Sequence, residues 1–442
     1  MSRGFRTITG TFDVLPDSYE NDGTTVASSA AWQAVEGTIR QVLARFGAQE
    51  IRTPILEPTE LIARGVGALT DIVSKEMFAF QRGDTNYVMR PEVTAPVMRS
   101  YLQHHLGQKG GAQRLYYIGP CFRAERPQKG RYRQFHQFGA EIIGAEGPRA
   151  DVECILMMLA VYDELGVTDR TLRLNTLGDP DTRPRYRDAL VAFLEPFKSE
   201  LSETSKARLE GNPLRILDTK NPREREILTD APTLRDYVSA AARAHYDAVL
   251  QALSDLGVSY VEDPLLVRGL DYYAHTAFEL ESPSLGAQSS LAGGGRYDFL
   301  APQVGSKLPV PAVGFAAGME RLFMAMAAAG RDLPGSSNPD VYLVGLGDAA
   351  QDWSLMAAAD LRRRGIATVS DLLGRSLKAQ MKDANRRNAR VVAIVGDDEL
   401  ARGVAVVRDM ADGTQTEVQF DQVVTAIAHV VASPPPENGP NH

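Results

Sequence analysis

Residues 116–144 read YYIGPCFRAERPQKGRYRQFHQFGAEIIG, and the reading of the whole chain turns on them. A short apolar run opens the stretch and another, 138–143, closes it, with Glu141 set among apolar and small residues. Between them, residues 121–135 hold five Arg or Lys and one Glu, together with Pro127 and Gly130. Two strands around such a loop predict an antiparallel hairpin with a long tip. A solvated basic tip explains most charge runs. It explains neither Phe135 among the arginines nor an acid in the returning strand. Burying a carboxylate such as Glu141 alone is costly, so it needs a polar or cationic partner. Arg forks, an aromatic face and a buried acid on one hairpin suit a nucleotide plus a cationic or hydrogen-bond-donating small molecule.

With 442 residues the chain is long enough for two or three domains with ample cores. Its 44% hydrophobic and 24% charged residues are those of an ordinary soluble globular protein. A net charge of -8 leaves any nucleic-acid binding to local basic patches. Cys121 and Cys154 make neither a disulfide framework nor a metal-ligand spacing. The N-terminal MSRGFRTITG has no apolar signal-peptide core, and no run is long enough to span a membrane, so a cytoplasmic setting is expected.

Upstream of the hairpin, Trp32, Val35, Ile39, Val42, Leu43 and Phe46 follow helical spacing, Gly47 stops the helix, and QEIRTPILEP continues as an extended stretch. The polar segment 21–29 before that helix has no periodicity and reads as a flexible insertion. Residues 86–100, NYVMRPEVTAPVMRS, read as a strand that breaks at Pro91 and enters a helix near Thr94, where an acid and a hydroxyl can act as caps. A helix over 150–165 and a strand over 171–177 follow. Residues 179–256 are polar and helical, broken at 211–213, 221–222 and 231–232, and carry no catalytic constellation. In LVRGLDYYAHTAFEL, 266–280, Arg268 sits at a strand-to-turn junction with Asp271 three residues on. In AGGGRYD, 292–298, three glycines stand where a side chain would block close backbone approach to a ligand. VGFAAGMERLFMAM, 313–326, is a strand entering a helix, with Arg321 one turn inside. Past a linker at 331–339, apolar strands at 341–344, 367–370 and 391–395 alternate with helices in a small α/β domain that ends in a hairpin and a last helix. Within it, Arg375, Lys378, Lys382 and Arg386 fall three or four apart on one predicted helix face. The tail 433–442, SPPPENGPNH, reads as disordered.

The run FRAERPQKGRYRQFHQFGAE, 122–141, resembles motif 2 of the class II aminoacyl-tRNA synthetases, in the form used by the histidyl-tRNA synthetase family. The first helix, its strand and Pro54 resemble motif 1, and the G-x-E-R around Arg321 resembles motif 3. R-G-L-D-Y-Y and A-G-G-G-R-Y-D resemble the family's two histidine-specific motifs, between motifs 2 and 3. The resemblance covers nearly the whole chain and implies an α/β (α+β) fold: an antiparallel-sheet catalytic domain in two parts, 1–178 and 257–330, a helical insertion at 179–256 beside the tRNA acceptor stem, and an anticodon-binding domain at 340–432.

The same resemblance implies that histidine is activated with ATP and then transferred to histidine tRNA. Arg123 and Arg268 would act on the α-phosphate, and Arg123, Arg131, Phe135 and Arg321 would hold ATP, with Mg²⁺ on its outer phosphates and no metal ligand in the protein. Glu92, Thr94 and Gln137 would take the ammonium of histidine, Glu141 with Tyr273 its imidazole, and Tyr272 would line the same pocket. Arg126, Gln128 and Lys129 on the hairpin tip, and Arg375, Lys378, Lys382 and Arg386 near the C-terminus, would contact tRNA. A homodimer is implied, and no membrane. A competing function of another class is a synthetase-like regulatory subunit of histidine biosynthesis, which binds histidine and charges no tRNA. Such relatives lack the anticodon domain and usually depart from R-G-L-D-Y-Y; this chain has both features.

Overall fold

The computed structural model describes residues 4–21, 23–67, 70, 72–267, 272–333 and 338–432, in two compact units, Met1–Gly335 and Ser336–His442. Among the described residues the largest sheet of the larger unit has eight strands: β1 (Gln49–Glu50), β2 (Gln113–Phe122), β3 (Gln134–Ile143), β4 (Thr171–Thr176), β5 (Val261–Glu262), β6 (Ala274–Glu281), β7 (Ser290–Arg296) and β8 (Ala312–Gly318). They lie in the order β5-β4-β6-β7-β8-β3-β2-β1. The six central strands run antiparallel, and the short strand at each edge is parallel to its neighbour. The expected hairpin is β2–β3, in unbroken register from Gln113↔Ile143 to Phe122↔Gln134.

Side chains alternate across a strand, and β3 shows what that alternation does. Phe138, Ala140 and Ile142 enter the core beneath the sheet, with Val313, Phe315 and Ala317 of β8. Phe135, Gln137, Gly139 and Glu141 fall on the opposite face, so one strand supplies both the core and the site. Four helices cover the core face: α1 (Ser29–Arg45), α3 (Pro148–Glu164), α4 (Ala240–Asp255) and α5 (Met319–Ala328); α2 (Thr94–Gln103) packs elsewhere. On α1 the apolar positions predicted to share a face do so, and Val35, Ile39 and Leu43 are buried. Each such side chain contributes about 1.5–3 kcal/mol.

One expectation changes. The segment 21–29 is not a loose insertion: Thr24–Val26 pairs antiparallel with Tyr19–Asn21, Val26 and Ala27 are buried, and the Ser28 hydroxyl caps α1 by accepting from the Ala31 N–H at 3.2 Å. A ribbon of three-residue strands is too short to show a period, and local partners order it instead. The stretch 179–256 is helical as expected, but its last helix, α4, buries Tyr246, Val249 and Leu253 in the core that α3 shares. Its shorter helices, Glu203–Gly211 and Pro222–Leu228, meet at Glu224, which is buried and accepts from the Ser202 N–H at 2.7 Å and the Ser205 hydroxyl at 2.9 Å.

The smaller unit is a five-stranded sheet in the order Thr368–Ser370, Val341–Gly345, Val391–Val395, Val404–Asp409, Gln415–Gln419. The first three strands are parallel and the last two antiparallel, which is the predicted α/β domain with a terminal hairpin. The tail 433–442 and residues 334–337 of the linker lie outside the described residues.

Candidate active site

A cleft of about 210 Å³, open to solvent, lies on the sheet face away from helices α1 and α3. Glu92, Thr94, Arg123, Arg131, Phe135, Gln137, Tyr272, Tyr273 and Arg321, each singled out from the sequence, all line it. Their elements aim them before any ligand arrives. The Arg123 Nε donates to the Pro91 carbonyl at 3.0 Å, and its guanidinium stands 5.1 Å from the centre of the Phe135 ring, a cation–π contact. Across the cleft, Arg321 donates from Nη1 to the Ser290 carbonyl at 2.8 Å and from Nε to the Gly130 carbonyl at 3.2 Å. Burial pulls the Arg321 pKa below its ordinary value. Arg131 pairs with Glu125 at 3.2 Å. Cations fixed in this way stabilise developing negative charge without reorganising at the moment of reaction.

Further along β3 the chemistry changes from cations to buried acids. Glu92 accepts from the Thr94 and Ala95 N–H groups at 2.7 and 3.0 Å, so it caps α2 while lining the cleft. The capping and binding readings of Glu92 are therefore compatible. Glu141 is fully buried; its Oε1 accepts from the Thr94 hydroxyl at 2.8 Å and its Oε2 from the Tyr297 hydroxyl at 2.5 Å. The partner its burial demanded is thus a pair of neutral hydroxyls, and Glu141 sits one layer behind Thr94. Desolvation pushes Glu92 up to about 7 and Glu141 up to about 8. The rings of Tyr272, Tyr273 and Tyr297 cluster there, with centroids 4.6, 5.7 and 6.4 Å apart.

A pH experiment follows from Glu141. A carboxyl whose folded pKa is raised keeps a proton that the unfolded chain releases. Its contribution to stability is fully present below about 4.5 and is lost as pH rises towards about 8. Urea denaturation of the parent protein and of Glu141→Gln, compared across that window, should show the parent losing stability relative to the variant as pH rises. Parallel profiles would mean that Glu141 titrates as an ordinary carboxyl.

Behind the tyrosines lies a buried ion network that the sequence analysis did not name. Arg296 spends all five N–H groups: on Asp151 at 3.1 and 3.0 Å, on Asp298 at 3.1 Å, and on the Ala145 and Gly147 carbonyls at 2.9 and 3.1 Å. His245 of α4 reaches the same Asp151 at 2.7 Å. The network ties α3 and α4 to the end of β7, next to Tyr297. Tyr297 was missed as well, although it stands in the quoted AGGGRYD; charged and phenolic groups following a glycine triplet were the available signal. Only part of that triplet borders the cleft. Gly293 lines the cleft, but a Cβ at Gly294 would come within 2.2 Å of the Gly314 carbonyl, and one at Gly295 within 2.9 Å of Tyr273.

The remaining expected residues divide. Arg268 lies outside the described residues. Arg126, Gln128 and Lys129 are exposed at the hairpin tip, where Gln128 and Arg131 exchange backbone hydrogen bonds at 3.2 and 2.8 Å. In the smaller unit the expected face of four cations is corrected. Arg375 precedes the helix Leu377–Arg386 and is tied to Asp371 and Asp383, and Arg386 also pairs with Asp383. Spacing alone ignored these acids. Lys378 and Lys382 stay exposed, and among the described residues neither forms an ion pair with an acid.

A family model described as histidyl-tRNA synthetase matches residues 25–322. The chain belongs to the histidyl-tRNA synthetase family. A second model, an anticodon binding domain, matches residues 340–429, within the smaller unit. The chain is similar to a protein named histidine–tRNA ligase from Chlorobium phaeobacteroides (strain BS1), 46% identical over 446 residues that cover 99% of each chain. Its similarity to the histidine–tRNA ligase of Prosthecochloris aestuarii is 47% over 429 residues, 96% of this chain and 99% of that one. The crystal structure of apo S. aureus histidyl-tRNA synthetase superposes with a TM-score of 0.79 at 35% identity, covering 96% of this chain and 100% of that chain. Among the described residues of this histidyl-tRNA synthetase family member, no helix is long and apolar enough to cross a membrane.

Proposed function

We propose that this chain is a histidine–tRNA ligase: it activates L-histidine with ATP and passes the histidine to the 3′ end of histidine tRNA. The observation that carries the reading is that one cleft has two chemically distinct ends along β3. Phe135 stands at one end, and Glu141, six residues further along β3, is buried behind Thr94 at the other. One end offers an aromatic face with Arg123 and Arg321; the other offers Glu92, Thr94 and two tyrosines. Such a cleft suits a nucleotide and a small cationic amino acid bound in line. A regulatory subunit that charges no tRNA is not favoured, because it leaves the anticodon binding domain matched over 340–429 without a task.

In the first step a carboxylate oxygen of histidine attacks the α-phosphate of ATP. The bond to the bridging oxygen breaks and pyrophosphate leaves; Mg²⁺ carried by the ATP would offset the charge of its outer phosphates. The nucleophile is already an anion at neutral pH, so no general base is needed. Two anions must be brought together, which is the work of Arg123 and, from its place in the R-G-L-D-Y-Y motif, Arg268. Phe135 stacks on adenine, and Arg321 with Arg131 holds the nucleotide. Glu92, Thr94 and Gln137 take the ammonium. Glu141 and Tyr273 take the imidazole, beside Tyr272; since both Glu141 oxygens already accept hydroxyls, an imidazole N–H must share or replace one of them. In the second step a hydroxyl of the terminal tRNA ribose attacks the acyl carbon and AMP leaves. Lys378, Lys382 and Arg386, with Arg375 bracing their helix, serve the tRNA, and the insertion lies beside its acceptor stem. A cytoplasmic homodimer joined through α1 and the strand after it completes the proposal. Pyrophosphate exchange with each of the twenty amino acids tests it: histidine alone should support exchange, and exchange with a different amino acid, or with none, overturns the reading.

The hairpin tip makes a separate prediction. Gln128 can donate to and accept from a base edge, and Arg126 can bridge phosphate or base. If they read the extra 5′ guanosine that marks histidine tRNAs, Gln128→Ala leaves pyrophosphate exchange near normal and slows aminoacylation. Its preference for tRNA carrying that guanosine should shrink by about 1–3 kcal/mol. Charging slowed equally with and without the extra nucleotide would leave the tip a nonspecific phosphate contact.

A further inference from the structure

Glu320, in the first turn of α5, lines the cleft and is only 9% exposed, yet the mechanism above gives it no role. Its Oε1 accepts twice from a single residue: from the backbone N–H of His136 at 2.8 Å and from the His136 ring at Nδ1, 3.0 Å away. Because Glu320 is acceptor-only, Nδ1 carries the proton. Among the described residues, its Oε2 accepts no hydrogen bond. Glu320 lines the cleft, so a ligand donor entering it can reach that oxygen.

His136 itself does not line the cleft. The alternation of β3 sends Phe135 and Gln137 into the cleft and His136 to the helix-covered face. There its ring stands edge-on to Trp32 of α1, with centroids 4.8 Å apart at 68°, and Trp32 packs on Phe323 of α5 at 4.9 Å. The imidazole is therefore clamped between α1 and α5, and its one directed hydrogen bond is spent on Glu320. The ligand group that meets Oε2 follows from position. Glu320 is anchored at residue 136, at the Phe135 end of the cleft, and it precedes Arg321 in sequence. Thr94, which with Glu92 is proposed to take the ammonium, is tied instead to Glu141, six residues from Phe135 along β3. The donors a nucleotide offers near its stacked base are the exocyclic amine and the ribose hydroxyls, and the ribose lies between the base and the phosphates that Arg123 meets.

We propose that Glu320 accepts a ribose hydroxyl of ATP through Oε2, and that His136 is a positioning residue that holds the carboxylate at the angle this requires. The inference rests on the ATP-dependent reading above and names a contact within it. The test is calorimetric binding of ATP, 2′-deoxy-ATP and 3′-deoxy-ATP, without histidine or tRNA, to the parent protein and to Glu320→Gln, His136→Leu and His136→Asn. The parent should bind ATP about tenfold or more tightly than one of the deoxynucleotides, as a hydrogen bond to a charged group implies. Glu320→Gln and His136→Leu should lose most of that preference through weaker ATP binding. His136→Asn, whose amide N–H can stand where Nδ1 does, should recover it. Histidine affinity, measured separately, should stay within about twofold in all three, because the lost contact is to the nucleotide.

A parent protein indifferent to both ribose hydroxyls overturns the contact. So does a Glu320→Gln variant that weakens all three nucleotides equally, or one that loses histidine affinity and keeps ATP. A His136→Leu variant with the parent's preference overturns the positioning role; the isosteric Glu320→Gln reads the contact even where His136→Leu fails to fold. Because the nucleotide arms contain no amino acid, they remain decisive if exchange assigns the enzyme a substrate other than histidine.

Discussion

Arg123→Ala should slow adenylate formation by about 10²–10³-fold. Histidine affinity should change by less than about threefold, since the lost contact is made chiefly to charge in the transition state. The asymmetry follows from how the side chain is held. Its Nε is fixed on the Pro91 carbonyl and its guanidinium lies over the Phe135 ring, so the cation is in place before substrate binds. Removing it deletes a preorganised charge at the point where negative charge accumulates. Single-turnover adenylate formation and equilibrium binding of histidine, measured on the same preparation, separate the two effects. Parallel losses would instead mean that Arg123 supports the shape of the cleft. Arg123→Lys should recover only part of the rate, because an ammonium cannot keep both the carbonyl bond and the contact over the Phe135 ring.

Gly314→Ala should unfold or reshape the site although it adds a single methyl group. Gly314 lies opposite Glu141 in the β3–β8 pairing, and a Cβ there would stand 1.5 Å from Glu141 Oε2 and 2.8 Å from the Ala140 carbonyl. The backbone oxygen cannot step aside, and Glu141 can do so only by abandoning Tyr297. A loss of about 3 kcal/mol or more is expected in urea denaturation, at the upper end for overpacking. Glu141→Gly combined with Gly314→Ala should recover part of it, since the two substitutions share one space. A single-variant loss below about 1 kcal/mol would mean that the β3–β8 register relaxes more easily than the structure indicates.

The hairpin, the helix of α1 and the terminal α/β unit were legible because each declares itself within one short window, by alternation, by helical spacing or by turn residues. The cleft residues were legible for another reason: the motifs that carry them are contiguous in sequence. What stayed hidden is what the sheet creates at long range. Tyr297 donates to Glu141 across 156 residues, Arg296 meets Asp151 across 145, and His136 meets Glu320 across 184. None of these pairs shares a window, and each depends on which strand lies beside which. The corrected basic helix face failed at short range instead. The carboxylates of Asp371 and Asp383 lie within reach of Arg375, and counting cations on a face leaves out the acids that neutralise them. The ribbon at 19–26 was hidden simply because it is short.

The insertion has two kinds of attachment to the rest of the enzyme. Its closing helix is pinned by His245 to Asp151, and Tyr186, Leu190 and Leu209 of its earlier helices share an apolar cluster with Tyr272, Tyr273 and Tyr297. A module joined in this way is not a detachable accessory. A graft that replaces residues 179–256 with the corresponding stretch of a distant relative would carry away apolar side chains packed behind Tyr272 and Tyr273. A swap confined to the outer turns, leaving Tyr186, Leu190 and all of α4 native, alters what the insertion presents to its surroundings and keeps that packing intact. Such an exchange, rather than a clean excision, is the form in which this part of the chain can vary while the pocket stays the same.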